Sequence, residues 1–262
     1  MNDQGLCALK ISLHFQLQKY QFWNYLSLKF QLYHTQFNSN VNLIFKEEIF
    51  KLFKVNTMKL LLDFLILVMT LPIFFILFPI ISLILLIFQG KPVFYTQSRV
   101  GKNGNLFKLI KFRTMINSNS QNIHEVHMKK ISDNKLIKPS LTPSKPIRLE
   151  NDDRITKIGG YLRKSSLDEL PNILNVLIGQ MSFIGPRPLV LYESELYGEY
   201  SVKRNTVRPG ITGLAQIQGR LDLSLQERLY WDLKYVDNRS LIYDLKILLK
   251  TIKLVLSRRG AN

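Results

Sequence analysis

Residues 60–88 read LLLDFLILVMTLPIFFILFPIISLILLIF, and Asp63 is the only charged residue among them. A helix of roughly 29 residues is about 43 Å long, which is enough to enter or cross a bilayer. Pro72 and Pro79 lie inside the stretch, and each removes a helical hydrogen bond, which favours a kink or a break. Basic residues flank the stretch on both sides, so a single crossing would place one basic cluster outside the cell. We therefore expect a broken helix that enters and leaves on the cytoplasmic side, with Asp63 near the lipid headgroups.

The charge of the chain points to an anionic partner. It has 262 residues, with 36 Lys and Arg against 19 Asp and Glu, for a net charge of +17. Such a surplus suits nucleic acid, anionic lipid or a phosphorylated substrate, and the apolar stretch favours membrane lipids over nucleic acid. Cys7 is the only cysteine, so an intrachain disulfide is impossible, as is usual for a protein on the cytoplasmic face.

Three segments are expected along the chain. Residues 1–57 are rich in Gln, Asn, Phe and Leu without a clear motif, which predicts a poorly ordered extension. Met58 starts the membrane segment, residues 58–90, and one hypothesis is that the cell does not translate what precedes it. Residues 91–262 form the domain on the cytoplasmic face.

That domain is predicted to be α+β and mainly helical. Residues 93–97 and 107–112 are rich in β-forming residues and flank a Gly/Asn turn, which predicts a small hairpin. Residues 117–150 are polar and contain three prolines, as in a long surface loop. Helical periodicity predominates from residue 155 onward, with closing helices over 225–236 and 241–256.

The last of these helices alternates apolar pairs with Lys246, Lys250 and Lys253. Such a pattern suits a basic amphipathic helix on a membrane, and it suits equally well a surface helix that packs on the core.

Residues 162–171 read LRKSSLDELP and contain two adjacent acids. Ser166 and Glu169 have the spacing of a capping box, and Pro171 is tolerated only near a helix start. Asp168 and Glu169 are therefore expected in or beside a first helical turn, where they could be simple capping acids or a functional pair.

Two further stretches carry arginine among proline and glycine. Residues 181–188 read MSFIGPRP, where two prolines restrict the backbone around Arg187. Residues 208–220 read RPGITGLAQIQGR, whose glycines permit close backbone approach to a ligand and whose arginines can pair with phosphates. A rigid turn with an exposed arginine would explain the same residues. The sequence lacks a nucleotide-binding phosphate loop and paired zinc ligands, so the candidate nucleophiles are carboxylates.

Together these stretches resemble a known family. Val93-Phe94, KFRTM at 111–115, SLDEL at 166–170, GPRP at 185–188 and RPGITG at 208–213 occur in the order found in the bacterial sugar transferases. These are polyprenyl-phosphate phosphoglycosyl transferases of the monotopic type, and the resemblance covers residues 59–262.

The resemblance implies a two-step reaction at the cytoplasmic face of the bacterial inner membrane. Asp168 would take a phospho-sugar from a UDP-sugar and release UMP, and polyprenyl phosphate would then accept it, which initiates polysaccharide or glycoconjugate synthesis. Glu169 would be the second catalytic acid and bind Mg²⁺. The expected phosphate-binding residues are Lys111, Arg163, Arg187 and Arg220.

The sequence departs from the family pattern at the membrane segment. Leu60 replaces a usual arginine, and Phe75-Ile76 stands where the family has a Ser-Pro break. Gln180 replaces a frequent acidic residue. None of these changes affects the predicted site.

Two other functions would also explain parts of the sequence. A non-catalytic basic adaptor for anionic lipid or nucleic acid would give the Asp168–Glu169 pair no role. A transferase that moves a sugar without its phosphate would release UDP rather than UMP.

Overall fold

The computed structural model describes residues 39–116, 126, 136–141, 154–219 and 222–257, with side chains from residue 55 onward except that of Leu256. The chain divides into two compact units, Met1–Asn56 and Thr57–Asn262. In the first unit the described residues are helical, and the rest of the predicted extension lies outside the described residues, as does most of the predicted polar loop. The second unit contains the candidate site.

The described part of the chain is mainly helical, with four short strands. The helices are α1 (Ser39–Gln89), α2 (Lys157–Lys164), α3 (Asn172–Leu177), α4 (Leu191–Tyr197), α5 (Glu199–Arg204), α6 (Leu214–Gln218), α7 (Leu225–Asn238) and α8 (Leu241–Leu256). The strands are β1 (Phe94–Val100), β2 (Leu106–Phe112), β3 (Ser182–Ile184) and β4 (Gly210–Thr212).

Helix α1 continues through both of its prolines, so the predicted break is wrong. Pro72 and Pro79 are exposed, whereas Phe74 and Ile81 beside them are buried in the core. Tertiary packing along one face thus stabilises the helix where the local sequence would interrupt it. By length and composition, its Val55–Gln89 part could cross a membrane.

The protein core covers one face of α1 and leaves the other face exposed. The exposed face consists of large apolar side chains, among them Met69, Phe75, Ile87 and Phe88. The covered face contributes to two of the hydrophobic clusters of the domain, through Leu62, Leu67, Phe74, Ile81 and Leu85.

Asp63 is buried against protein within this apolar helix. Its carboxylate accepts hydrogen bonds from Ser182 Oγ at 2.8 Å and from the Phe183 amide at 3.1 Å, and pairs with Arg208 Nη2 at 2.8 Å. The charge is therefore compensated by protein groups, which the sequence analysis did not predict.

The predicted hairpin is confirmed. Strands β1 and β2 pair antiparallel with Val100 opposite Leu106, and a 3₁₀ turn at Lys102–Gly104 joins them. Strands β3 and β4 form a second, parallel pair that the sequence analysis did not predict. The two predicted closing helices are confirmed as α7 and α8.

We expect Asp63→Ala to destabilise the protein strongly, because it leaves Arg208 without its carboxylate and the buried Phe183 amide without its acceptor. Removing one partner of a buried ion pair costs about 3–5 kcal/mol. The matched control is Asp237→Ala, which breaks the Lys203–Asp237 pair, whose side chains are 54% and 50% exposed. Exposed pairs contribute about 0–1 kcal/mol. Thermal unfolding in detergent compares the two variants, and equal stability would contradict a structural role for Asp63.

Candidate active site

The adjacent acids lie in a 3₁₀ turn between α2 and α3. The turn is Leu167–Glu169, and α3 begins only at Asn172. Ser166 has a left-handed backbone with φ of 57° and its side chain caps no helix, so the predicted capping box is wrong. Because the chain turns left-handed immediately after α2, Ser166 belongs to the end of that helix rather than to the start of the next one.

Glu169 is held by two cations that come from different parts of the fold. Its Oε1 accepts hydrogen bonds from Lys111 Nζ at 2.5 Å and from Arg187 Nη1 at 3.1 Å. Lys111 lies near the end of β2, and Arg187 lies in the turn that follows β3. Glu169 is thus fixed by contacts with both strand pairs.

Asp168 lies in the same group of charges but is bound differently. Among the described residues, no side chain or backbone group donates a hydrogen bond to its carboxylate. Lys111, Arg163 and Arg187 are near enough to act on it electrostatically. Arg163 also donates from Nε to Thr114 Oγ1 at 2.9 Å.

The structure therefore brings together five of the six predicted site residues: Asp168, Glu169, Lys111, Arg163 and Arg187. The sixth, Arg220, lies outside the described residues.

The two acids have opposite electrostatic environments. Burial raises the pKa of Asp168, the charge of Glu169 raises it further, and the nearby Lys111 only partly opposes this. Burial also acts to raise the pKa of Glu169, but Lys111 and Arg187 outweigh it and hold that pKa well below its usual range. Glu169 is thus a permanent anion at neutral pH, whereas Asp168 is a more basic carboxylate.

A small cleft opens beside these residues. Its lining includes Lys111, Glu169 and Arg187, together with Arg99 and Asn172, which the sequence analysis did not identify. Three cations against one carboxylate suit an anionic ligand. Asn172 is 2% exposed and its Oδ1 has no hydrogen-bond partner among the described residues, as expected of a polar group that borders a binding site.

Two glycines of the RPGITG stretch allow backbone segments of the fold to pack closely, and one of them, Gly210, also lines the cleft. A Cβ on Gly210 would lie 2.1 Å from the Gly185 amide nitrogen, and one on Gly213 would lie 2.1 Å from the Gly185 carbonyl oxygen. This close approach of two backbone segments helps to set the position of the turn that carries Arg187.

Most of the chain matches a known protein family. The model of the family described as Bacterial sugar transferase matches residues 54–258. The exopolysaccharide production protein ExoY of Rhizobium meliloti is 44% identical over 66% of the chain and 74% of its own length. The undecaprenyl-phosphate galactose phosphotransferase of Salmonella typhimurium is 42% identical over 66% of the chain. The UDP-glucose:undecaprenyl-phosphate glucose-1-phosphate transferase of Escherichia coli is 37% identical over 62% of the chain. The chain spans only 35% and 32% of the length of these last two relatives.

We expect Lys111→Met to raise the pKa of Asp168 further, because Lys111 is the main group that opposes the effect of burial. Lys108→Met is the matched control, since Lys108 lies on the same strand but is exposed and donates to Ser98 Oγ. A ¹³C NMR titration of labelled aspartate carboxyls measures the shift, with Asp168→Asn to assign the signal. An unchanged or lower pKa in Lys111→Met would contradict this account of the site.

Proposed function

Because the chain belongs to the bacterial sugar transferase family, we propose that it transfers a phospho-sugar from a UDP-sugar to polyprenyl phosphate. Two of its relatives are named for transfer to undecaprenyl phosphate, and another for exopolysaccharide production. The product would be a lipid diphosphate sugar, on which polysaccharide or glycoconjugate synthesis begins.

The observation that carries the proposal is the contrast between the two adjacent acids. Glu169 is bound and neutralised by Lys111 and Arg187, whereas Asp168 accepts no hydrogen bond from the described residues and has a raised pKa. A carboxylate with a raised pKa is a stronger nucleophile, and the cations beside it favour the approach of a phosphate.

The proposed transfer of the phospho-sugar takes place in two displacement steps. A carboxylate oxygen of Asp168 attacks the phosphorus that bears the sugar, and the bond to the bridging oxygen breaks, so that its electron pair leaves with UMP. The sugar phosphate is then an acyl phosphate on Asp168. An oxygen of polyprenyl phosphate attacks the same phosphorus, the acyl oxygen leaves, and the Asp168 carboxylate is restored. Lys111, Arg163 and Arg187 bind and neutralise phosphate oxygens in both steps.

Mg²⁺ fits the donor set of this site. Glu169 is ionised, and both of its hydrogen bonds are to Oε1, so Oε2 accepts none from the described residues. No group of three or more His, Cys, Asp or Glu residues occurs within the described ranges, which matches the way Mg²⁺ is bound by one or two carboxylates plus substrate phosphates. Glu169 would hold the ion, which would neutralise charge on the diphosphate.

Asp168→Asn is expected to lower turnover by at least about a thousandfold, because the amide cannot form the covalent intermediate. The assay incubates purified protein with undecaprenyl phosphate and a panel of UDP-sugars and identifies the released nucleotide. With the sugar-linked phosphorus labelled and the acceptor omitted, wild type and the exposed control Asp237→Asn should retain label on the protein, whereas Asp168→Asn should not.

Each competing function has its own outcome in this assay. Release of UDP would indicate transfer of the sugar without its phosphate, and absence of any nucleotide release would favour a non-catalytic adaptor.

Little activity is expected in excess EDTA, and full activity there would remove the metal from the proposal.

For the membrane, we propose that both ends of the apolar stretch lie on the cytoplasmic side. Near its start, Lys59 pairs with Asp244 of α8 at 2.8 Å. At its end, Gln89 Nε2 donates to Thr156 Oγ1 at 2.9 Å, and Arg113 donates to the Gly90 carbonyl at 2.8 Å. The same polar domain thus contacts both ends, and a crossing helix would draw that domain into the hydrocarbon.

The exposed face of α8 supports the same orientation. Ile247 and Asp244 of this helix are buried, whereas Ile242 and Leu249 are each 67% exposed. A helix that only packs on the core would not also present a second apolar face, so these side chains favour contact with lipid, beside the lysines of the same helix.

Cysteine labelling tests the membrane proposal. Single cysteines replace the exposed residues Asn56 and Lys91 in a Cys7→Ser background, and a membrane-impermeant maleimide is applied to intact cells. Neither position should react until the cells are permeabilised. Labelling of the Asn56→Cys protein alone in intact cells would instead establish a crossing helix.

A further inference from the structure

The turn that carries Arg187 is held by two arginines, of which Arg204 is buried and Arg99 is half-buried. Arg204 of α5 donates from Nη2 to the carbonyl oxygen of Arg187 at 2.5 Å. Arg99 of β1 donates from Nη1 to the carbonyl oxygen of Pro188 at 3.0 Å. Two consecutive carbonyl groups of the turn are therefore each bound by a guanidinium from a different element.

Both arginines are themselves fixed by carboxylates. Arg204 is 2% exposed and pairs with Asp232 of α7 at 2.7 Å. Arg99 lies 3.7 Å from Glu193 of α4. Burying a charged guanidinium costs free energy that an apolar side chain would avoid, so the backbone contacts explain why arginine stands at these positions.

The position of this backbone decides where the Arg187 guanidinium lies. Pro186 and Pro188 restrict the backbone angles of the turn but do not fix its distance from Glu169. The Arg187 side chain is 35% exposed and reaches Glu169 Oε1 at 3.1 Å. A small displacement of the turn would move Arg187 away from Glu169 and from a phosphate in the cleft.

We infer that Arg99 and Arg204 are positioning residues that hold Arg187 in place for the reaction. The inference rests on the proposed function, since Arg187 is taken to bind a substrate phosphate. Each arginine binds a carbonyl of the turn with one nitrogen and a second partner with another: Arg99 Nη2 donates to Gln97 Oε1, and Arg204 Nε donates to Asp232 Oδ2. Lysine retains the charge but cannot make both contacts at once.

Arg228 provides a matched control. It is also buried, and its guanidinium pairs with Glu193 at 3.2 Å, the same carboxylate that faces Arg99. Among the described residues it donates to no carbonyl of the Arg187 turn. Arg228→Lys should therefore disturb the same charged cluster without moving the turn.

The experiment compares Arg99→Lys, Arg204→Lys and Arg228→Lys by UMP release. The first two should lose about 10- to 100-fold in kcat/KM, as expected for a displaced binding group, and the third should stay near wild type. Thermal unfolding is measured in parallel. Arg99 is less deeply buried than Arg204. If the Arg204→Lys protein does not fold, the activity of the Arg99→Lys protein therefore tests the inference.

A double-mutant cycle shows whether the effect passes through Arg187. In an Arg187→Ala background, Arg99→Lys and Arg204→Lys should cause little further loss, because the group they position is gone. Additive losses, or an equal loss in Arg228→Lys, would overturn the inference and leave a general structural role.

Hydrogen exchange tests the same point without activity. The amides of Gly210 and Val100 donate to the carbonyl oxygens of Pro186 and Leu189 on either side of Arg187 and Pro188. They should exchange faster in Arg99→Lys and Arg204→Lys than in wild type or Arg228→Lys, and unchanged exchange would overturn the inference. Absence of UMP release by the wild type would instead refute the proposed function, so the two failures are distinguishable.

Discussion

The ion pair between Asp63 and Arg208 determines how the strands and helices after residue 91 are placed on the apolar helix. A carboxylate in a stretch of this kind cannot be left in lipid, so it must find donors within the protein. Its donors are Arg208, Ser182 and the amide of Phe183, and they lie at the start of the β3–β4 pair. This contact fixes the register of α1 against that sheet, and Arg187 follows β3 after only two residues.

The other cation that binds Glu169, Lys111, is positioned from the far end of the same helix. Arg113 donates to the carbonyl oxygens of Gln89 and Gly90, where α1 ends. Lys111 precedes it by two residues on β2. The two groups that hold Glu169 are thus positioned from opposite ends of the apolar stretch, which gives α1 a structural role in the site besides any role in the membrane.

Features that depend on local pattern could be predicted from the sequence, whereas those that depend on distant contacts could not. Composition and periodicity predict the apolar stretch, the hairpin and the closing helices. The prediction of a capping box was wrong because a left-handed Ser166 is compatible with the same residue spacing. The prediction of a break at the prolines was wrong because packing of Phe74 and Ile81 stabilises the helix there. Arg99, Arg204 and Asn172 have no local signature, since their partners lie far away in the chain.

The 3₁₀ geometry explains how two adjacent acids acquire different properties. With three residues per turn, successive side chains point about 120° apart, so Glu169 can face Lys111 and Arg187 while Asp168 cannot. If Asp168 accepted the same hydrogen bonds, its pKa would fall and it would be a weaker nucleophile. Because burial raises the pKa of Asp168, its ionisation costs stability in full at a pH above the raised pKa. This cost declines as the pH falls through the raised pKa, and it disappears only below the ordinary pKa of an aspartate. A half-buried carboxylate without a donor among the described residues is unfavourable for folding alone, and such local costs are typical of groups retained for chemistry.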